Sequence, residues 1–456
     1  MSVTTSTTSD LPAPRRGRPQ PVLSVFDAVM IITGIVVGAG IFSFPPLVAS
    51  ITGSVQWMFA AWLLGALLSL IGALCYAELA TTFPTAGGDY HFLTRAYGKD
   101  LSFFFAWARV MVITTGAIAL LAFAFGDYMS RVVSLGQSSS AIYAGLTVIV
   151  LTALNIAGLR DSARTQNVLT SFLIVGMLGV VIASLIAPAP AASAAAAATG
   201  SGIPAAALGS AMLFVLFAFS GWNEAAYVSA EVKGGSRALV RALAIAIGLI
   251  TVLYLAFVWG LLNGLGFEGL KGTKTAAADV AQRAFGTTGE RIVGAVVALA
   301  ALTSINATMI VGARTNYAVA NDWPIVAFMN RWDGTRNVPV AAFLVQGGIA
   351  LALVIFAAFE QGGVRTMVDF TSPVFYTFFL LTGVALIVLR FKYPHVQRPF
   401  KVPMYPILPV IFIGMCAYLL YSSITYAQSQ NAVQVALYVM ASGLVAWILA
   451  RLKRGS

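Results

Sequence analysis

Two apolar stretches contain residue types that interrupt a membrane helix and could bind a small charged molecule. The first, Gly34 to Pro46, has the sequence GIVVGAGIFSFPP. Glycine tolerates most backbone angles and proline removes an N–H group, so we expect helical hydrogen bonds to fail around Gly38, Ala39 and Gly40. Unpaired backbone groups are tolerated at membrane depth only where they face protein, water or a ligand. The stretch is a candidate binding site, although close helix packing through Gly34 and Gly38 explains the same glycines.

A second interruption lies in the sixth of twelve apolar runs. Phe217 to Glu224, FAFSGWNE, places Ser220, Gly221 and Asn223 at mid-membrane, where an ordinary span is aliphatic. Because the second interruption comes five runs after the first, an odd number, the two halves of the chain would cross the membrane in opposite orientations. This is the inverted repeat of secondary transporters with discontinuous helices. Together the two breaks favour a binding site over simple packing.

The composition determines the class of protein. The chain has 456 residues, of which 59% are hydrophobic and 9% charged, and its mean hydropathy is +0.88. No soluble domain of this length is expected to have such values, so the chain is a polytopic membrane protein. Runs of about 20 residues, enough to cross a bilayer, lie at 26–48, 57–79, 101–125, 138–159, 168–187, 205–230, 239–264, 291–313, 339–359, 367–389, 407–426 and 433–450.

The distribution of charge predicts the topology. With a cytoplasmic N-terminus, twenty of the 27 Lys and Arg residues fall in inner segments and six in outer loops, and Arg109 lies inside a span. This asymmetry predicts that both termini are on the cytoplasmic side of the cell membrane. The net charge of +11 reflects that topology and needs no nucleic-acid partner. Residues 1–23 are predicted to be a disordered tail, 84–100 an interfacial segment, 188–204 an outer loop, and 265–288 a longer outer loop with some helical content.

Three motifs resemble one family. Gly34 to Pro46 is similar to the first helix of the amino acid–polyamine–organocation superfamily, and FAFSGWNE resembles the sixth helix of its L-type amino acid transporter relatives. Leu389 to Pro409, LRFKYPHVQRPFKVPMYPILP, is similar to the connection between the family's tenth and eleventh helices. The resemblance implies an all-α LeuT-like core at 24–391, with inverted repeats at about 24–187 and 205–391 and with helices 1 and 6 discontinuous. Residues 392–456 would form the connection, two extra helices and the C-terminus.

The break in helix 1 offers donors and acceptors that suit an α-amino acid. The N-terminus of a half-helix favours an anion, so a carboxylate fits there. We expect it to be bound by the N–H groups of Ala39, Gly40 and Ile41. Leftover carbonyls suit an ammonium group, and we expect those of Ile35, Val36, Phe217 and Ser220 to accept from it. Many relatives have serine or threonine in place of Ala39, so one side-chain contact is missing here.

The side chains of the second interruption suggest a gate and a proton carrier. By resemblance, Phe217 corresponds to the family's gating phenylalanine and Asn223 to an asparagine that bonds the unwound region. We assign Trp222 to the gate as well, although both aromatic residues could simply pack. Glu224 departs from the L-type pattern. An acid at that depth is expected to be functional or paired, so Glu224 is either a proton carrier or the structural partner of Arg109.

The coupling ion is predicted from the eighth apolar run. Ala300 to Ser304, AALTS, resembles the helix 8 motif of sodium-coupled members of this fold. The resemblance implies a sodium site formed by the carbonyls of Gly34, Val37 and Ala300 and the hydroxyls of Thr303 and Ser304. Sodium-independent relatives place a helix 5 lysine there, whereas this chain has Leu173. The two hydroxyls could instead bond back to the preceding helical turn.

These residues predict secondary active transport of a small or medium neutral L-amino acid by alternating access, coupled to sodium. Proton-coupled symport, amino acid exchange and a non-translocating amino acid receptor remain alternatives. An enzyme is disfavoured because His91 and His395, the two histidines, lie in polar connections, and a channel because no repeated pore filter is visible. We expect no resident cofactor. The expected partners are the amino acid and membrane lipid, and the protein is expected to be a monomer or homodimer.

Overall fold

The structure is a computed structural model that describes residues 24–38, 40–83, 88–157, 163–188, 203–224, 232–333, 338–360, 363–428 and 432–452. Within these ranges the regular structure is helical, and extended pairing is limited to one isolated bridge between Asp333 and Val338. The prediction of an all-α protein is confirmed.

Fifteen α-helices are described, in chain order. The first eight are α1 Val25–Val36, α2 Gly40–Thr52, α3 Val55–Thr82, α4 Gly88–Tyr97, α5 Lys99–Ala108, α6 Thr114–Val132, α7 Ser139–Ile156 and α8 Ala163–Ile186. The others are α9 Ala205–Ala218, α10 Gly235–Lys271, α11 Ala276–Asp322, α12 Val340–Phe359, α13 Val364–Lys392, α14 Ile407–Gln428 and α15 Ala432–Leu452. A π-helical turn, Arg109–Ile113, joins α5 to α6, and short 3-10 helices lie at Trp222–Glu224 and Pro324–Asn330.

The described helices account for a multi-pass membrane protein. Eight segments are long and apolar enough to span a bilayer, and α1 with α2 forms a ninth, bent span. Three shorter apolar helices, Thr170–Ile186, Ala205–Ala218 and Met440–Leu452, coincide with the predicted fifth, sixth and twelfth runs. The count of twelve spans and the inverted repeat stay predictions. The predicted outer loop 265–288 is largely helical in the structure, because α10 and α11 continue into it with bends at Gly266 and Gly286.

The first span is broken where its glycines predict. Helix α1 begins at a capping box, in which the backbone N–H of Ser24 donates to the Asp27 carboxylate and the Asp27 N–H donates to the Ser24 hydroxyl. It ends at Val36, and α2 starts at Gly40 after a bend of 50°. Inside α2, Pro46 lacks the N–H that the Phe42 carbonyl would normally receive. The Tyr128 hydroxyl donates to that carbonyl instead, at 3.0 Å, and so ties α2 to α6.

The sixth span is interrupted at the same depth and is tied to the first. Helix α9 ends at Ala218, and Gly221 then takes a φ of +109°, a backbone angle that favours glycine. The Tyr254 hydroxyl of α10 lies 3.1 Å from the Val36 carbonyl and 2.9 Å from the Ala218 carbonyl. Both carbonyls are the last of their helices and lack the next helical donor. One buried tyrosine therefore holds the two broken ends together.

The connection after α13 is anchored by a buried carboxylate. Glu78 of α3 accepts two hydrogen bonds from Arg390, at 2.7 and 2.6 Å, and a third from the Val402 N–H at 2.7 Å. The Arg390 guanidinium also stacks over the Tyr405 ring at 3.7 Å. Because charge-assisted bidentate pairs are strong and directional, this cluster fixes the proline-rich segment 393–406 against the ends of α3 and α13.

Candidate functional site

A cavity of about 250 Å³ lies between the two helix breaks. This volume is slightly below the range of roughly 300–1,000 Å³ typical of sites for drug-sized ligands, so the cavity suits a smaller molecule. Its walls come from α1, α2, α4, α5, α6, α9, α11, α13, the π-helical turn and the residues that follow α9. Of the predicted binding residues, those that line the cavity are Ile35, Val36, Gly40, Phe217, Ser220 and Asn223.

The start of α2 forms one end of this cavity. Gly40 and Phe44 both line it, and a Cβ atom added at Gly40 would lie 2.8 Å from the Phe44 ring. The first N–H groups of a helix have no intrahelical acceptor and carry the positive end of the helix dipole. This end can therefore receive an anionic group, with glycine leaving room for the group to approach the backbone. Ala39 lies outside the described residues, and Ile41 is fully buried beside the cavity rather than lining it.

The carbonyls at the opposite side of the break are partly engaged by the protein itself. The Val36 carbonyl accepts from the Gly38 N–H at 2.8 Å as well as lying near the Tyr254 hydroxyl. The Phe217 carbonyl accepts from the N–H and the hydroxyl of Ser220, at 3.2 and 2.7 Å. A carbonyl has two lone pairs, so these groups hold little spare capacity for a ligand. The predicted acceptors that remain best placed for an ammonium group are the carbonyls of Ile35 and Ser220.

An aromatic cluster covers one side of the cavity. Phe217 lines the cavity and packs against Phe375 and Tyr376 of α13, with ring centroids 5.3 and 6.2 Å away. Phe375 in turn stacks on Phe379 at 4.2 Å. Phe217 is only half-buried, and its contacts on α13 are apolar, so the ring can change rotamer without breaking a hydrogen bond. That arrangement is suitable for a lid.

Two other residues of the second interruption are placed differently. Trp222 is buried outside the cavity lining, in contact with Tyr76, Phe379 and Phe412 at centroid distances of 5.2, 5.7 and 6.3 Å. Its ring is so close to Gly72 that an added Cβ there would lie 2.6 Å from it. Its part in a gate stays a prediction. The backbone of Glu224 belongs to the 3-10 helix, whereas its side chain is outside the described part of the structure.

The cavity contains two charged residues that sequence reasoning did not assign to the site. Arg109 lies at the π-helical turn and Asp89 in the first turn of α4, and both are buried. Asp89 accepts a hydrogen bond from the Thr382 hydroxyl at 3.2 Å. A π-helical turn often marks a functional site, but its five residues, RVMVI, show no signal in the sequence. Arg109 was recognisable only as a cation inside a predicted span.

A second, smaller cavity adjoins the first. Its volume is about 40 Å³, enough for one ion or water, since a water molecule takes up about 30 Å³ in the liquid. Four of the five predicted sodium ligands line it, together with Leu173: Gly34, Ala300, Thr303 and Ser304. Val37 is buried and does not line it among the described residues. Gly34 and Ser304 line both cavities, so the two spaces share a wall.

The Thr303 hydroxyl is already used in part. It donates to the Leu299 carbonyl at 3.0 Å, the back-bond that was the alternative interpretation of this motif. A hydroxyl oxygen keeps two lone pairs when it donates its proton. Thr303 can therefore form this bond and still offer its oxygen to a cation.

Apolar helices around a cavity built on two helix breaks define a multi-pass membrane transport protein with discontinuous helices. The sequence profile of the amino acid permease family matches residues 23–449, and the chain belongs to that family. The resemblance to the amino acid–polyamine–organocation superfamily is thereby confirmed.

Three relatives illustrate what the chain is similar to. It is 26% identical to the b(0,+)-type amino acid transporter 1 of Mus musculus over 440 residues, covering 94% of this chain and 88% of that protein. It is 24% identical to the serine/threonine exchanger SteT of Bacillus subtilis (strain 168) over 404 residues, covering 87% and 90%. It is 25% identical to the cystine/glutamate transporter of Homo sapiens over 403 residues, covering 87% and 79%. Family and relatives support amino acid transport as the activity.

Proposed function

We propose that this protein is a secondary active transporter that carries a small or medium neutral L-amino acid across the cell membrane by alternating access, coupled to sodium. The observation that carries the proposal is the 250 Å³ cavity between the end of α1 and the start of α2. One side of that cavity is the N-terminus of a helix, which suits a carboxylate, and the other side presents backbone carbonyls, which suit an ammonium group. The two groups sit on one carbon in an α-amino acid.

The charges of the cavity favour a neutral side chain. Its described lining contains one cation, Arg109, and one carboxylate, Asp89, and is otherwise mainly apolar. The opposite formal charges balance. A zwitterion with an uncharged side chain adds no net charge to such a site, whereas a cationic or anionic side chain would leave one charge uncompensated in a low-dielectric surrounding. The relative named a serine/threonine exchanger supports an amino acid of this general class.

Sodium coupling is supported by the second cavity. It is lined by the end of a broken helix, by two adjacent hydroxyl residues and by no charged side chain among the described residues. Neutral oxygens around a space of one ion's size suit a monovalent hard cation. Because Gly34 and Ser304 line both cavities, an ion in the smaller cavity stabilises the same wall that contacts the amino acid. Each ligand would then raise the affinity for the other.

Proton coupling is the second candidate, and one buried residue favours it. Asp369 of α13 is 4% exposed, and its Oδ1 atom has no hydrogen-bond partner in the described part of the chain. A carboxyl group in that setting is expensive and is functional by default. Glu224 remains the other proton carrier that the sequence predicts. Exchange without an ion gradient is the third route, because one relative is named a serine/threonine exchanger.

Uptake by purified protein in proteoliposomes distinguishes these routes. The substrate is the labelled neutral amino acid that raises the melting temperature of the protein most. Its uptake is measured with an inward sodium gradient, with choline at the same pH, and with choline and unlabelled amino acid inside the vesicles. We expect strong uptake only with sodium, and we expect Thr303→Val with Ser304→Ala to remove the sodium dependence. Equal uptake in sodium and choline would exclude sodium coupling. Uptake that needs a proton gradient and is lost in Asp369→Asn would establish the second candidate.

A further inference from the structure

Thr170 of α8 lines the small cavity but takes no part in the predicted sodium site. The residue is 2% exposed, and its hydroxyl oxygen has no hydrogen-bond partner in the described part of the chain. A buried hydroxyl without a partner loses its bonds to water and receives none in return, which costs about 1–3 kcal/mol. Such a group needs an explanation, and a bound ion or water is a common one.

Thr170 differs from most threonines in membrane helices in the hydrogen bonding of its hydroxyl. A helical threonine commonly donates to the carbonyl four residues earlier. Thr303, on the other wall of the same cavity, does so to Leu299 at 3.0 Å, and Thr251 of α10 does so to Ile247 at 2.7 Å. The Thr170 hydroxyl does not form this bond. Its hydroxyl is therefore available to whatever occupies the cavity.

The position of Thr170 relates it to Leu173. The two residues are three apart in α8, so they lie on the same face of the helix, and both line the small cavity. Leu173 offers only an apolar side chain to this space. Ala300, Thr303 and Ser304 line the cavity from α11, and Gly34 lines it from α1. Thr170 is thus the one described residue through which α8 supplies a polar side chain to the cavity.

We propose that the Thr170 hydroxyl is an additional oxygen ligand of the cation that occupies the small cavity. This inference rests on the sodium coupling of the proposed function and adds a third helix to the site. With Thr170 bound, the ion links α8 to both α1 and α11. Binding of the ion then fixes the position of α8 relative to the broken helix, and release of the ion frees it.

The test compares Thr170→Val with Thr170→Ser and with the matched control Thr251→Val. Valine has nearly the shape of threonine and lacks only the oxygen, whereas serine keeps the hydroxyl. For each variant we measure the melting temperature of the purified protein in choline and its rise with sodium at constant ionic strength. We also measure the sodium dependence of uptake in proteoliposomes.

We expect Thr170→Val to melt in choline at the wild-type temperature or above it, because the mutation removes a buried hydroxyl that has no partner. Its half-saturating sodium concentration should rise about tenfold, the lower limit of what loss of a supporting group costs a metal site. Thr170→Ser and Thr251→Val should keep the wild-type sodium dependence.

Three results would overturn the inference, and they are distinguishable. An unchanged sodium response in Thr170→Val, with wild-type protein responding normally, would show that the hydroxyl does not bind the ion. A melting temperature in choline well below that of wild type would show that the hydroxyl makes a structural bond. Absence of a sodium response in the wild-type protein would reject sodium coupling itself, and the role of Thr170 with it.

Discussion

Gly40 is the residue at which the backbone must both turn and admit a ligand. It begins α2, lines the cavity and lies so near the Phe44 ring that even a Cβ atom would be 2.8 Å from it. A small side chain can be accommodated by a shift of that ring, which is the free end of a side chain. A branched side chain pushes the ring into the cavity and also disfavours the unwound backbone.

The first prediction concerns the affinity for the amino acid. Gly40→Val should weaken binding at least tenfold, about 1.4 kcal/mol, while Gly40→Ala should weaken it less. Isothermal titration of both purified variants with the amino acid that stabilises wild-type protein measures this. Wild-type affinity in Gly40→Val would mean that the substrate binds elsewhere in the molecule.

The second prediction separates binding from transport at Phe217. The ring covers the cavity and rests on Phe375 and Tyr376, so its loss removes the lid without removing the backbone groups that hold the ligand. Phe217→Ala should reduce the uptake rate about tenfold, which corresponds to about 1.4 kcal/mol, and change the dissociation constant much less. Uptake in proteoliposomes at the wild-type rate would make Phe217 an ordinary packing residue.

At the scale of the elements, the breaks persist because other helices supply the missing hydrogen-bond donors. Tyr128 of α6 donates to the Phe42 carbonyl that Pro46 leaves open, and Tyr254 of α10 serves the ends of α1 and α9. Backbone groups without partners are costly at membrane depth. These two tyrosines therefore make the discontinuous conformation compatible with lipid surroundings.

The third prediction tests this role of Tyr254. Tyr254→Phe keeps the ring, which packs on Trp62 and Phe219, but removes the hydroxyl that lies between two buried carbonyls. The Val36 carbonyl keeps its bond from the Gly38 N–H, whereas the Ala218 carbonyl loses this donor. We expect a loss of about 1–3 kcal/mol in the free energy of unfolding and weaker amino acid binding, because the two broken ends are no longer held together. Thermal unfolding with and without amino acid measures both effects, with Tyr143→Phe as a control at the surface. If Tyr254→Phe matches wild type in both, the breaks are maintained by other contacts.

The fourth prediction concerns α4, which lies outside the membrane spans. The pKa of His91 is lowered by burial and by the nearby Arg95, whose Nε donates to the imidazole at 2.7 Å. The imidazole accepts this bond only when that nitrogen is unprotonated. Because the folded state disfavours the proton, the stabilisation is present above the unfolded pKa of about 6.5 and is lost as the pH falls through the lower folded pKa.

The melting temperature should accordingly fall between about pH 7 and about pH 5, and His91→Gln should remove the part of this fall that His91 causes. Circular dichroism melts of the two proteins over this range provide the measurement. If the melting temperatures of wild type and His91→Gln fall in parallel with pH, groups other than His91 cause the fall.

The sequence predicted where the backbone of a helix breaks but not which side chains of other helices bond to the broken ends. Glycine and proline act on their own backbone, so the breaks between α1 and α2 and after Ala218 were predictable from GIVVGAG and FAFSGWNE. Which hydroxyl donates to a carbonyl left without a helical donor depends on packing between helices distant in the sequence. The roles of Tyr128 and Tyr254 were therefore not predictable. Thr170 and Thr303 are alike in sequence, and only the structure distinguishes the hydroxyl that bonds back from the one that does not.

At the scale of the whole molecule, the cavity extends from the helix breaks to helix α4, which the charge distribution predicts to be on the cytoplasmic side. Asp89 of α4 and Phe105 of α5 belong to its lining, while α2 and α9 pack together at the other side of the breaks through Phe44 and Phe214. Under the proposed function, this asymmetry would correspond to the inward-directed state of an alternating-access cycle. The opposite state would require the inner ends of the helices to close around Asp89 and Arg109.

The central claim is that one amino acid binds at the broken first helix and is carried across the membrane from there. Uptake of a labelled neutral amino acid into proteoliposomes tests it most directly, when wild-type protein, Gly40→Ala and Gly40→Val are reconstituted at equal density. We predict saturable uptake by wild-type protein, reduced uptake by Gly40→Ala and none by Gly40→Val, with all three proteins folded. Uptake by Gly40→Val at the wild-type rate, or no uptake of any amino acid by wild-type protein, would contradict the account.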